Sequence, residues 1–157
     1  MIHDKRTEFA DAVSVAGSAG TALIGSQIDS EVVRDLGNGK TVFLVITVDT
    51  EIITGGSAGT IQFQLVSDAS ASIAVDGSAT VHYASRLFVT DDAAANDAEM
   101  NAGGVPVCVA LPLQGPAYER YLGILAVIAT TTVTAGKINA FLTLDPYGRK
   151  AYPDASN

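Results

Sequence analysis

Apolar and polar residues alternate along much of this chain, and a period of two is the pattern of half-buried β-strands. The run Thr60–Ser67 alternates most regularly. Its Ile61, Phe63 and Leu65 share one face, and its two glutamines share the other. The run Thr41–Thr50 is almost continuously apolar, which predicts a strand that is buried on both faces.

Near the end of the chain, Ile138, Ala140, Leu142 and Leu144 repeat the alternation and predict a final strand. Glycine-rich segments separate the runs, and Thr134–Lys137 predicts a tight hairpin that leads into this last strand. Weaker patterns predict the remaining strands at Ala12–Ala16, Thr21–Ile28, Ala79–Thr90, Val105–Leu113 and Arg120–Thr131.

Together these patterns predict about eight short strands in one domain that spans residues 1–157. This arrangement favours an all-β fold, an antiparallel β-sandwich that is jelly-roll-like. We expect residues 1–11 to be extended. We also expect an extended C-terminal arm over 146–157, because Pro146 cannot continue a strand ladder. The alanine-rich stretch Asp91–Met100 predicts either one or two helical turns or a loop.

Composition narrows the classes of partner. The net charge is −8, and the nine cationic residues are scattered. A nucleic-acid interface needs clustered lysine and arginine, so no direct nucleic-acid partner is expected. Charged residues make up only 17% of the chain, against roughly 25% in typical soluble domains, so part of the surface is expected to pack against a partner.

Membrane insertion and secretion are not expected either. The longest apolar stretch, Tyr121–Ala129, is too short to span a bilayer. The polar N-terminus lacks the apolar core of a secretory signal, so we expect a soluble protein made in a cytoplasm. The single cysteine, Cys108, lies in an apolar run and is interpreted as a buried small hydrophobe.

The search for catalytic chemistry finds one weak candidate. Gly55–Gly59 has the letters Gly-x-Ser-x-Gly and would offer Ser57, with His82 as a base. A nucleophile elbow must lead from a strand into a helix, and the segment that follows predicts a strand. We therefore expect no enzyme activity, no catalytic residues and no cofactor.

Metal binding finds equally little support. No zinc-ligand spacing of histidine and cysteine occurs, so no metal is expected. An acidic segment could supply oxygen ligands for calcium, but it lacks the regular spacing of a calcium loop, and a solvated loop is the other interpretation. The acidic residues concerned are Asp91, Asp92, Asp97 and Glu99.

The C-terminal arm holds the candidate contact residues. Two tyrosines flank a cationic pair there, a combination suited to docking on a neighbouring protein. An arm folded back on its own domain, or a frayed one, is the alternative. The candidate contacts with a partner protein or with another subunit are Tyr147, Arg149, Lys150 and Tyr152.

Three stretches of the chain match a known family by their order and spacing more than by any one of them alone. They are Met1–Ala12, Arg34–Thr50, and Arg120–Thr130 followed by the closing hairpin Thr134–Asp145. On these stretches the chain resembles the capsid cement (decoration) proteins of tailed bacteriophages, of the type first described from a Bordetella phage. The resemblance extends over nearly the whole chain, although Asp91–Gly104 matches no part of the pattern.

The resemblance implies a jelly-roll sandwich on the outer surface of a phage capsid, synthesised in the cytoplasm of the bacterial host. Its partners would be the major capsid protein, which it bridges to stabilise the head, and further copies of itself. Both a dimer and a trimer fit this expectation. The alternative function is a carbohydrate- or receptor-binding jelly-roll module.

Overall fold

The computed structural model describes residues 5–31, 39–55, 58–91 and 95–146, and in these residues the protein is an all-β sandwich. Two 3-10 turns, Lys5–Thr7 and Ala98–Met100, are the helical elements of this part of the chain. The strands are β1 (Glu8–Ser14), β2 (Gly20–Asp29), β3 (Phe43–Ile53), β4 (Thr60–Asp68), β5 (Thr80–Ala84), β6 (Phe88–Val89), β7 (Val107–Ala110), β8 (Tyr121–Ala129) and β9 (Ala135–Thr143).

The strands form two antiparallel sheets with jelly-roll connectivity. The first sheet has the order β1-β9-β3-β7, and the second has the order β2-β8-β4-β5, with β6 also paired to β4. Most strands that follow one another in the chain therefore lie in opposite sheets, as in the double Greek key of a jelly roll. The predicted all-β, antiparallel, jelly-roll-like sandwich is confirmed.

The core lies between the two sheets and follows the predicted period of two. Ile61, Phe63 and Leu65 of β4 are all fully buried. In β3, Leu44 and Ile46 face the same core. Val45 points to the other side of the sheet and is also fully buried, so burial on both faces is confirmed in this part of β3.

The predicted hairpin at Thr134–Lys137 is wrong. The strands on either side of it, β8 and β9, lie in different sheets, and β9 already begins at Ala135. Gly136 has a φ of 142°, and a Cβ atom there would lie 2.9 Å from the Cα atom of Ile52. This glycine therefore permits a close approach of β9 to β3 and does not form a turn.

The single strand predicted over Ala79–Thr90 is two strands, β5 and β6, so its continuity was also wrong. The break occurs at Ser85, whose hydroxyl accepts the Phe63 N–H at 3.0 Å in place of a backbone carbonyl. The Ser85 N–H still donates to the Phe63 carbonyl at 2.9 Å. A side chain thus replaces one step of the ladder, and the edge strand continues beyond it as β6.

Several strand ends differ from the predicted ones. The first strand begins at Glu8, before the predicted Ala12, and its pairing with β9 places it inside a sheet. The last strand ends at Thr143, so Leu144 lies outside it and is 52% exposed. Phe43, which period two places on the outer face of β3 with Val45, is only half-buried.

The segment that follows β6 forms one short helical turn, Ala98–Met100, which agrees with the smaller of the two predicted possibilities. Met100 anchors it in the core with no exposed surface. Gly103 and Gly104 then exchange backbone hydrogen bonds with Val48 at 2.8 and 2.9 Å. Within the described part of the chain, neither helical turn has the length or apolarity needed to cross a membrane.

Candidate interaction surfaces

The four edge strands of the sandwich are where a partner could pair with a sheet. Strands β1 and β2 form the edges on one side, and β7 and β5 form the edges on the other. An edge strand carries unpaired N–H and C=O groups, which proteins either protect or use for pairing. Whether the backbone groups of an edge are protected or open therefore indicates where a partner strand can pair.

The edge of β1 is interrupted by bulges. Its register with β9 shifts twice, and Ala12 adopts a φ of 49°, which is unusual for a residue with a side chain. The Ala12 N–H donates to the Asn139 side-chain carbonyl at 2.7 Å, so a side chain satisfies this donor. Bulges of this kind twist an edge away from a regular partner strand.

The edge of β2 is also bulged, between Ile24 and Ile28, and the intervening residues are exposed. A groove of about 830 Å³ lies between this bulge and β1. Acidic side chains outnumber basic ones along the groove. The Arg120 guanidinium binds the acidic side chain of Asp29 through two hydrogen bonds of 2.8 and 2.9 Å. These hydrogen bonds hold the pKa of the Asp29 carboxyl below its usual range.

The opposite edge of the second sheet exposes apolar side chains. Val81, Leu87 and Val89 of the β5–β6 edge are 45%, 55% and 39% exposed. The backbone of Val89 is nevertheless paired, because it donates to an Asp97 carboxylate oxygen at 2.7 Å and accepts the Asp97 N–H at 3.1 Å. This edge therefore presents hydrophobic side chains more than open backbone.

Arg86 fixes this edge to the acidic segment. Its guanidinium lies 4.2 Å from the centre of the Phe88 ring and donates to Asp97 at 2.8 Å and to Glu99 at 3.0 Å. The hydrogen bonds from Arg86 hold the pKa of the Asp97 carboxyl below its usual range. Two of the four acidic residues considered for calcium are thus held by an arginine, a pairing that the sequence pattern gave no sign of.

The edge of β7 is short and regular. The Leu111 N–H donates to the Val42 carbonyl of the strand beside it at 2.8 Å, so alternate residues of β7, Cys108 and Ala110, direct their N–H groups outward. Pro106 and Pro112 occupy the next outward positions and have no N–H, so the stretch of this edge that offers N–H donors to a partner strand is short.

Cys108 is exposed, and the prediction that it is buried is wrong. The physical reason is that β7 is an edge strand with only one face on the core, where Val107 lies. The apolar run around it was interpreted as burial of the cysteine, but the alternation of a single strand directs Cys108 outward.

The described residues include a histidine–serine pair that differs from the one considered in the sequence. His82 is the extra residue where the register of β5 with β4 shifts. Its Nε2 lies 2.7 Å from the Ser67 hydroxyl, and that hydroxyl also accepts the Glu119 N–H at 3.1 Å. The imidazole ring stacks on the Tyr118 ring, with 3.9 Å between the two ring centres. Ser67 is fully buried, so its hydroxyl is not accessible to a substrate.

The other chemical candidates lie partly outside the described residues. Ser57 does so, and its segment joins strand β3 to strand β4, so it does not have the strand-to-helix context that the motif requires. Asp92 also lies outside the described ranges. Among the residues that are described, no group of three or more histidine, cysteine or acidic side chains is placed to hold a metal ion.

The predicted contact residues of the C-terminal arm, Tyr147, Arg149, Lys150 and Tyr152, lie outside the described residues as well. Pro146, the last of the described residues, is buried. The remaining tyrosines do not form an exposed platform: Tyr118 is buried, and Tyr83 and Tyr121 are half-buried.

Comparison with models of protein families gives a match. The family model Bbp16 matches residues 9–142, which include most of the sandwich from β1 to β9. The name of the family suggests a protein of a Bordetella phage. A comparison with the curated proteins found no match.

Proposed function

This chain belongs to the Bbp16 family, and we propose that it is a structural protein of a phage virion, bound to the outside of the head. In this role it bridges neighbouring major capsid proteins and stabilises the capsid. The single observation that carries the proposal is the family match over residues 9–142, because the family name suggests a phage protein. The protein acts as a homo-oligomer, either a dimer or a trimer.

The charge of the chain supports an outer location. A net charge of −8 repels packaged DNA, so an acidic protein is better placed on the outer face of a head than on the inner one. Many copies on one particle also act together, because contacts that are individually weak add through multivalency. Each interface can therefore be modest in area.

The exposed side chains of the β5–β6 edge supply a surface suited to such contacts. Leu87 is 55% exposed there, and Val81 is 45% exposed. Apolar side chains that gather on one edge are more typical of interaction sites than apolar residues scattered singly over a surface. We assign the capsid contact to this edge together with the C-terminal arm.

Binding to heads that lack the protein tests the proposal. Purified protein should saturate such heads at a stoichiometry set by capsid symmetry and should raise their disruption temperature. Leu87→Asp should weaken binding, whereas Gln27→Asp, which adds the same charge on the opposite edge, should not. The proposal fails if the wild-type protein binds no head, and a glycan array that is positive instead would favour the carbohydrate-binding alternative.

The arm has its own test. Removing residues 147–157 should leave the domain folded, because the last strand ends at Thr143, and it should weaken binding to heads through loss of the tyrosines and the cationic pair. Circular dichroism checks the fold, and sedimentation with heads checks the affinity. Wild-type affinity in the truncated chain would show that the arm does not dock.

A further inference from the structure

His82 joins three parts of the sandwich at one point. It belongs to β5, the edge strand of the second sheet, and Ser67 belongs to the adjacent β4. Tyr118 and Glu119 belong to the connection between β7 and β8, which crosses from one sheet to the other. The imidazole and the Ser67 hydroxyl are therefore the polar link between this edge and that connection.

The hydrogen bonds at this point suit a neutral imidazole. The Ser67 hydroxyl accepts the Glu119 N–H at 3.1 Å, and an unprotonated His82 Nε2, 2.7 Å away, accepts the hydrogen of the same hydroxyl. If Nε2 carried a proton, it would become a donor, and the hydrogen of the fully buried Ser67 would lose this acceptor. A buried hydroxyl without an acceptor is unfavourable by an amount comparable to a lost hydrogen bond.

Burial also favours the neutral ring, and the ring stacks on a tyrosine. Tyr118 stacks against it with an interplanar angle of 22°, and burial lowers the pKa of His82 below its usual range. The Tyr118 hydroxyl donates to the Pro112 carbonyl at 2.9 Å, and burial raises the pKa of this tyrosine to about 12, so it stays neutral. Tyr118 thus links His82 to Pro112, near the start of the same connection.

The ionisable groups on the elements packed around His82 are few. On β4, Asp68 accepts the N–H groups of Ser70 and Ala74, which keeps its carboxylate in the following loop. Beside His82, Tyr83 is half-buried and burial raises its pKa. Glu119 contributes its backbone N–H, and no ion pair involves His82 within the described ranges.

We propose that neutral His82 is a latch that holds the β7–β8 connection, residues 111–120, against the edge of the second sheet, and that protonation of His82 opens it. In the closed state the connection is fixed at Glu119 through Ser67 and at Tyr118 through the ring stack. In the open state both attachments are lost while the strands on either side remain paired. Leu113, which is 67% exposed on this connection, is then no longer held in one position.

Hydrogen exchange at single amides of the full-length chain tests the latch at pH 7.5 and at pH 5.0. Each unit of pH below the pKa changes the ratio of protonated to neutral imidazole about tenfold, so the protection factor of the Glu119 amide should fall by up to about tenfold for each pH unit below the pKa of His82. The core amides of Leu65 and Ile124, on β4 and β8, should keep their protection.

Matched variants separate the latch from a general effect of acid. His82→Phe keeps an aromatic ring but cannot titrate, so the protection factor of Glu119 should become independent of pH. His82→Gln serves the same comparison if the phenylalanine variant does not fold. The chain has two histidines, and His3→Gln should behave like the wild type.

Three results would overturn the latch. The first is a wild-type protection factor at Glu119 that is equal at the two pH values. The second is an equal fall in the wild type and in the His82 variants. The third is a fall of the core amides together with Glu119, which would indicate loosening of the whole sandwich.

Discussion

Replacing Phe63 by alanine tests the assignment of faces in the sandwich most directly. Phe63 lies in β4 between its two neighbouring strands, is fully buried, and has its ring centre 6.3 Å from that of Phe88. Removal of such a ring leaves a cavity in addition to losing buried apolar area. Phe63→Ala should therefore lower the free energy of unfolding by roughly 3–5 kcal/mol.

Phe43→Ala is the matched control, because it removes the same atoms from the outer face of the first sheet. Phe43 is only half-buried and is not part of the core between the sheets, so its loss should be about 1–2 kcal/mol. The apolar run Thr41–Thr50 predicts burial on both faces of the strand, and at Phe43 that burial is incomplete.

Urea unfolding measures both variants. The chain has no tryptophan, so tyrosine fluorescence or far-ultraviolet circular dichroism must report the transition. For a chain of this length each kcal/mol shifts the midpoint of thermal unfolding by about 2–4 °C, so Phe63→Ala should lower it by roughly 6–20 °C. Equal losses for the two variants, or a larger loss for Phe43→Ala, would refute the assigned faces.

Three further predictions follow from single contacts. Gly25→Ala should destabilise the fold by roughly 1–3 kcal/mol in urea, because φ is 71° and the new Cβ would lie 2.0 Å from the Phe9 carbonyl oxygen; unchanged stability would contradict that approach. Arg86→Ala should raise the pKa of Asp97 in an NMR titration. Because Asp97 has a depressed pKa in the folded state, its contribution is present above the ordinary value of 3.8 and is lost as the pH falls through the folded-state pKa, so the two stabilities should converge in acid. Cys108 should react with a thiol reagent in the native protein at a rate close to that of the unfolded chain, and slow labelling would show that it is covered.

The strands were predictable because burial of one face imposes a period of two on the sequence. The alternation in Thr60–Ser67 corresponds closely to β4, Thr60–Asp68, and its inward residues are the predicted ones. The alternation does not reveal which of the two sheets a strand belongs to. Thr134–Lys137 has the composition of a turn, but it joins strands of opposite sheets, and only the pairing of distant residues reveals this.

The error at Cys108 has the same origin. An apolar run is equally consistent with a central strand and with an edge strand, because strand position depends on which partners lie on each side. The contacts of His82 were likewise not visible in the sequence, since a bulge in β5 places it against Ser67. Register shifts of this kind arise from packing between strands and leave no regular signal in either strand.

The order of strands also determines when the molecule can fold. The central positions of the two sheets include β8 and β9, which follow the other described strands along the chain. Among the described strands, β1 is joined to its sheet only through β9, and β2 only through β8. Neither sheet can therefore be completed on the ribosome until the chain has been made through Thr143, and completing the sandwich requires pairing of strands far apart in the sequence, at the slow rates typical of non-local β pairing.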